Sequence, residues 1–236
     1  MSNPYFKFKQ FTVWHDKCAM KVGTDGVLLG AWTLVESAHR ILDIGTGTGL
    51  VALMLAQRSL PDANIVALEI DEAAVGQARE NIIRSPWKER VEVVQADFKK
   101  YRSSDKFDVI VSNPPYFVDS LECPDRQRAT ARHNDSLTYE DLLEGVSGLL
   151  AEDGFFTMVI PADVAERVKK IAYMRKLYAV RQLNVITKPG GIPKRVLITF
   201  SFSNQECIVE ELLTELARHQ YSEEYMTLTR DYYLNM

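Results

Sequence analysis

The sequence predicts an α/β fold, a mostly parallel sheet with helices on both faces. From residue 40 onward, short apolar runs alternate with longer segments whose apolar residues recur at helical spacing. Strands separated by helices form parallel crossover units, and those units cover both faces of a sheet. Near the end of this pattern, PGGIP (189–193) separates two apolar runs, as the turn of a hairpin would. That hairpin places one antiparallel strand in an otherwise parallel sheet.

The elements follow in order. RILDIG (40–45) reads as a buried strand ending in glycine, and GLVALMLAQRS (49–59) as a helix that is apolar nearly all round at its start. NIVALEI (64–70) is a second strand. DEAAVGQARENIIR (71–84) is a helix opened by Asp71, with Ala74, Val75, Ala78 and Ile82 at helical spacing. VEVVQAD (91–97) and FDVIVSN (107–113) are the third and fourth strands. SLTYEDLLEGVSGLL (136–150) is a helix with a Ser-Leu-Thr cap region, and GFFTMVI (154–160) is a fifth strand. Pro161 and Asp163 open another helix, and VITK and RVLITFSF flank the hairpin turn. The stretch 117–135 is long and polar, and a loop of that length in a compact domain is usually functional or disordered. The domain expectation is one domain over 1–236: a cap segment at 1–39, a core at 40–203 and an extension at 204–236.

Composition bounds the function classes. An apolar fraction of 46% and a charged fraction of 25% are ordinary for a globular chain. No apolar run approaches the roughly 20 residues that span a bilayer, and the first ten residues lack a signal-peptide layout. A cytoplasmic protein without membrane contact is expected. Cys18, Cys123 and Cys207 are far apart and the four histidines are scattered, so neither a disulfide framework nor a metal site is expected. The net charge of −4 hides an uneven distribution. Residues 162–200 carry nine basic and two acidic side chains, whereas residues 201–236 carry seven acidic and two basic ones. Such a basic region permits a polyanion site, and a solvated helix face would read the same way.

The chemistry begins at LDIGTGTG (42–49). Gly45, Gly47 and Gly49 lie between a strand and a helix, where glycine allows a tight turn and close approach to a ligand. Their spacing is Asp-x-Gly-x-Gly-x-Gly, unlike the G-x-G-x-x-G of a nicotinamide dinucleotide site. Asp43 would repel a pyrophosphate and attract an ammonium, which favours S-adenosylmethionine as the cofactor. Glu69, about 20 residues further on, can accept from ribose hydroxyls. In QADF (95–98), Asp97 can accept from an adenine amine and Phe98 offers a stacking face or an apolar wall. Asp43, Glu69, Asp97 and Asn113 fall at the carboxyl ends of the first four strands, the edge where open α/β sheets bind ligands.

Asn113-Pro114-Pro115-Tyr116 completes the set. Paired prolines hold the backbone extended and leave its carbonyls without local partners. The Asn113 side-chain oxygen and the Pro114 carbonyl can then accept from both hydrogens of one planar amine. Its nitrogen lone pair would face the sulfonium methyl of the cofactor, while Tyr116 stacks on the group that carries the amine. Catalysis of this kind is positioning and electrostatics, with no covalent nucleophile.

DIGTGTG, ALEID, QADF and NPPY, in this order and spacing, resemble the amino-methylating branch of the class I S-adenosylmethionine-dependent methyltransferases. FTVWHDKCAMKVGTDGVLLGAW (11–32), RATARHNDSLTYEDLL (128–143), KRVLITFSF (194–202) and YMTLTRDYYLNM (225–236) resemble the bacterial tRNA (adenine-N6)-methyltransferases that modify adenine 37 of a valine tRNA. The resemblance covers nearly the whole chain. It implies a Rossmann-like sheet of seven strands with the last pair antiparallel, and a KVGTDG segment over the cofactor that makes Lys21, Thr24 and Asp25 candidate contacts. It also implies an anticodon-loop partner, whose phosphates Lys7, Lys9, Lys17, Arg126, Arg128, Arg132, Lys188, Lys194 and Arg195 would contact. A monomer is expected. NPPY also serves enzymes that methylate the glutamine amide of a release factor, and related corners serve guanine-N2, cytosine-N4 and DNA-adenine enzymes. The core motifs leave that choice open. A non-catalytic binding module and a NAD oxidoreductase are less favoured rivals on the same fold.

Overall fold

The computed structural model describes residues 3–18, 21–114, 137–218 and 220–236. Its centre is an eight-stranded sheet. In chain order the strands are β3 (Arg40–Ile44), β4 (Asn64–Glu69), β5 (Val91–Gln95), β6 (Phe107–Ser112), β7 (Leu150–Pro161), β8 (Tyr178–Ile186), β9 (Arg195–Ser201) and β10 (Ile208–Leu213). Across the sheet the order is β10-β8-β9-β7-β6-β3-β4-β5. Every neighbouring pair is parallel except β9, which runs antiparallel to both β7 and β8. The antiparallel strand and its hairpin turn are where the sequence puts them. The eighth strand comes from the C-terminal extension, where β10 pairs parallel with β8 from Ile208 opposite Arg181 to Leu213 opposite Ile186.

The helices are α1 (Thr24–Trp32), α2 (Leu50–Arg58), α3 (Glu72–Ile83), α4 (Tyr139–Leu149), α5 (Ala165–Tyr173) and α6 (Glu223–Thr229). Their starts follow from local chemistry. The Asp71 carboxylate accepts from the Ala74 N–H, and Thr138 forms a reciprocal capping box with Asp141. After Pro161 a short 3₁₀ turn (Ala162–Val164) leads into α5.

Alternation along the strands sorts the core into two layers. Ile41, Ile65, Val93 and Val109 pack on one face with α1, α2 and α3. Leu42, Ile44, Ile110 and Met158 pack on the other with α4 and α5. Helices on both faces are therefore what the alternating apolar pattern produced. Around the first layer lie a hairpin of β1 (Tyr5–Lys7) with β2 (Thr12–Trp14), a second hairpin of β11 (Glu215–Ala217) with β12 (Gln220–Tyr221), and the C-terminal residues. Tyr232 is 1% exposed and its hydroxyl donates to the Met54 carbonyl 3.1 Å away, which anchors the C-terminal segment on α2.

The chain runs outward from β3 through β4 to β5, then returns to the other side of β3 as β6. Strand order thus reverses between β3 and β6, and the crevice outside their carboxyl ends is where such sheets hold ligands. Among the described residues no helix is long and apolar enough to cross a membrane, and no cluster of His, Cys, Asp or Glu is arranged to hold a metal ion.

Candidate active site

A pocket of about 700 Å³ opens at this reversal point. Lys21, Thr24, Asp25, Asp43, Glu69, Asp97, Phe98, Asn113 and Pro114 all line it, as do Gly45 and Gly47. Gly49 sits just behind, as the residue that caps α2. The described part of the expected constellation is therefore brought together. Pro115, Tyr116, Arg126, Arg128, Arg132 and the 117–135 stretch lie outside the described residues.

The turn after β3 forms one wall. Gly45, Gly47 and Gly49 have φ of 73°, 56° and 82°, a region that side-chain-bearing residues reach only with strain. A methyl group added at Gly45 or Gly47 would meet nothing within 4 Å, so bare backbone faces open space, which suits close approach of a ligand. Glu69 braces the turn. One of its oxygens accepts from the Gly47 N–H at 2.9 Å, and the other accepts from the Ile70 and Asp71 N–H groups at 2.8 and 3.0 Å. Its carboxylate is thus held rigidly at the pocket edge with acceptor capacity to spare.

Asp43 lies under the turn and is 1% exposed. It accepts from the Thr46 hydroxyl at 2.6 Å and from the Ala52 N–H at the start of α2. Burial is the main force that pushes its carboxyl from 3.8 up to about 7, and the Glu69 charge adds to it. A cationic group in the pocket would reverse that effect.

Asp97 holds the next turn by accepting from the Lys99 N–H at 3.0 Å. Phe98 is 6% exposed, because its ring seats against Gly145 of α4. It belongs to the core and gives the pocket only part of its surface. Ile70, beside Glu69, is 61% exposed and lines the same cleft. Sequence reasoning overlooked it, although an isoleucine at a strand-end turn, where polar residues are usual, was a readable signal.

At the opposite wall, β3 and β6 align Ile44 with Ser112, and the Ser112 hydroxyl donates to the Ile44 carbonyl at 3.0 Å. This bond fixes the start of the Asn-Pro corner relative to the glycine turn. Nothing among the described residues hydrogen-bonds to the Asn113 side chain, which is half-buried on the pocket wall. Cys18 also lines the pocket, but burial, followed by the charges of Glu69, Asp71 and Asp16, pushes its thiol up to about 11. It stays protonated at neutral pH and is no nucleophile.

The basic residues divide. Lys7, Lys188 and Lys194 are exposed and form no ion pair among the described residues. Lys9 donates to the carbonyls of Arg230 and Met236, and Lys17 pairs with Glu80 at 2.5 Å. Arg195 is bound to Asp25 at 3.1 Å, on the rim of the pocket. These three have their charged groups engaged within the chain, which the sequence alone did not reveal. Asn81 of α3 is another residue the sequence reading missed. It is 1% exposed and bonds to both the N–H and the carbonyl of Trp14 and to the carbonyl of Thr48, each at 2.9 Å. One side chain therefore ties the N-terminal hairpin to the glycine turn.

The methyltransferase small domain family matches residues 22–168. A protein of Bacteroides thetaiotaomicron named tRNA1(Val) (adenine(37)-N6)-methyltransferase is 77% identical over 236 residues, covering all of both chains. The chain belongs to this methyltransferase family. Its members of the same name include a Phocaeicola vulgatus protein, 55% identical over the full length of both, and a Yersinia enterocolitica protein, 44% identical over 98% of this chain and 92% of its own. Among solved structures, a predicted O-methyltransferase from Agrobacterium tumefaciens has a TM-score of 0.69 at 19% identity, covering 90% of this chain and 100% of its own. The ribosomal protein L11 methylase of Lactobacillus delbrueckii has a TM-score of 0.57 at 15% identity, covering 80% of this chain and 83% of its own. The methyltransferase family and the class I methyltransferase fold therefore agree with the resemblance carried by the motifs.

Proposed function

We propose that this chain, acting as one methyltransferase domain, transfers the methyl group of S-adenosylmethionine to the exocyclic N6 amine of adenine 37 in a valine tRNA. The observation that carries the reading is Asn113, which lines the pocket across the strand-reversal point from a glycine turn of bare backbone and whose side chain has no hydrogen-bond partner among the described residues. The full-length identity to proteins named for that reaction supports the choice of RNA over other amine substrates.

The residues present fit the cofactor. Gly45 and Gly47 leave room for close approach, and Glu69 is braced with spare acceptor capacity for ribose hydroxyls. Asp43 offers a carboxylate to an ammonium, and Asp97 an acceptor to an adenine amine. Ile70 and Phe98 supply apolar walls, and Lys21, Thr24 and Asp25 stand on the remaining side. When bound, the cofactor supplies a methyl group on cationic sulfur.

The chain's own part is to aim the nucleophile. The Asn113 oxygen and the Pro114 carbonyl accept the two amine hydrogens, which turns the nitrogen lone pair into the pocket. We assign Pro115 the stiffening of this corner and Tyr116 the stacking on the base. Lys7, Lys188 and Lys194 carry exposed charge for loop phosphates, and an unpaired adenine is cheaper to splay out than a duplex base.

The test uses unmodified valine tRNA, purified release factor and labelled cofactor. Methyl transfer to the RNA is expected, and Asn113→Ala should lower turnover at least a hundredfold with cofactor affinity retained, in line with loss of one oriented polar group in an active site. Transfer to the protein alone would overturn the substrate, and near-normal turnover of Asn113→Ala would overturn the site.

A further inference from the structure

Beside the cofactor pocket lies a second one, of about 840 Å³, and Gly23, Thr24 and Asp25 form a wall common to both. It sits between the N-terminal strand Tyr5–Lys7, the Glu215–Tyr221 hairpin and the C-terminal residues, with the ends of β8 and β9 beneath. Four of its aromatic residues form a continuous row. Phe6 meets Tyr233 with ring centroids 5.8 Å apart, Tyr233 meets Tyr225 at 6.5 Å, and Tyr225 meets Tyr221 at 5.3 Å. Tyr225 is 4% exposed and forms the back of the row, whereas Phe6 and Tyr221 are 36% and 38% exposed at its two ends. Lys7 and Lys194 border the same space, and Glu215 and the Arg195–Asp25 pair also face it.

Exposed rings at both ends of a concave row, with lysines on the border, match what an unpaired nucleotide requires: stacking faces for the base and cations for the phosphates. A duplex base cannot leave its stack to enter such a pocket at comparable cost, and a volume of this size is that of a small-ligand site.

We propose that this second pocket is a nucleotide subsite, in which unpaired loop bases next to the target adenine stack, one on Phe6 and one on Tyr221, while Lys7 and Lys194 hold their phosphates. The proposal rests on the RNA reading above and deepens it, because the shared Gly23–Asp25 wall places the neighbouring nucleotides beside the methyl-transfer pocket.

The experiment measures the affinity of full-length unmodified valine tRNA for the wild type, Phe6→Ala, Tyr221→Ala and Tyr221→Phe. A matched set of tRNAs carries one abasic residue at each loop position adjoining adenine 37. Cofactor affinity, expected to be unchanged in every variant, controls for folding. Each alanine variant should bind tRNA about tenfold more weakly, as loss of one base–aromatic stack predicts, and Tyr221→Phe should bind like wild type. One abasic substitution should cost the wild type about tenfold and cost Tyr221→Ala nothing further. Unchanged tRNA affinity in both alanine variants overturns the proposal, as does an abasic loss of equal size in wild type and Tyr221→Ala. Wild-type protein that shows this coupling but no methyl transfer to the tRNA keeps the subsite and refutes the substrate reading. Methyl transfer without the coupling does the reverse, and leaves the aromatic row to a protein partner.

Discussion

Replacing Asp43 by asparagine separates the cost of a buried charge from its use. The carboxyl is 1% exposed, and its folded value of about 7 stands against 3.8 in the unfolded chain. Between those values the folded chain keeps a proton that the unfolded chain has released. The stabilisation is therefore complete below the unfolded value and is lost as the pH rises through about 7. A rise of about three units, at about 1.4 kcal/mol each, amounts to about 4 kcal/mol of stability lost by pH 8. Asparagine has nearly the same shape and keeps the local bonds. Its oxygen can accept from the Ala52 N–H, and its amide can donate to Thr46, whose hydroxyl then accepts. Urea unfolding of wild type and Asp43→Asn from pH 4.5 to 8 measures the difference. The variant should gain on the wild type as the pH rises, approaching about 4 kcal/mol at the alkaline end, because only the wild type must bury a charge there. Its cofactor affinity should fall at least tenfold, since the attraction for an ammonium is gone. A stability difference that does not change with pH would refute the reasoning.

Three further outcomes follow from particular contacts. Gly47→Val forces a β-branched residue to a φ of 56°, at a cost of about 1–2 kcal/mol, and points its side chain into open pocket space. The melting temperature should drop by several degrees and cofactor affinity at least tenfold, and unchanged affinity in calorimetry would show that the turn does not face the ligand. Asn81→Leu leaves the N–H and carbonyl of Trp14 and the carbonyl of Thr48 without their partner, and should cost about 2–4 kcal/mol in urea unfolding. A loss under about 0.5 kcal/mol would mean that water replaces all three bonds. Lys194→Gln should reduce the steepness of log affinity against log salt for tRNA by about one, with cofactor affinity unchanged. An unaltered slope would take Lys194 out of the interface.

Much of the site is legible in the amino-acid order. Asp43, Glu69, Asp97 and Asn113 each stand at or near the end of a strand-like run, and strand length and periodicity are local properties, so their common position at one sheet edge followed from the crossover pattern alone. The antiparallel β9 was legible for the same reason, because PGGIP can only be a turn. The eighth strand was not. Ile208 and Val209 are 64% and 58% exposed and two glutamates follow them, so the run has the composition of an exposed loop, and only the free edge of β8 makes it a strand.

By itself, then, the sequence determined the parallel direction of the central strands and the glycine turn, because each depends on spacing and backbone chemistry within a few residues. Tertiary structure alone decided which partners the polar side chains take: Asp25 for Arg195 at 170 residues' separation, the C-terminal carbonyls for Lys9, and Trp14 and Thr48 for Asn81. It also decided that Phe6, Tyr221, Tyr225 and Tyr233, drawn from opposite ends of the chain, stand in one row. A hydrogen bond or a ring contact acts over a few ångströms, and no local pattern encodes which distant segments the packed core will bring within that range.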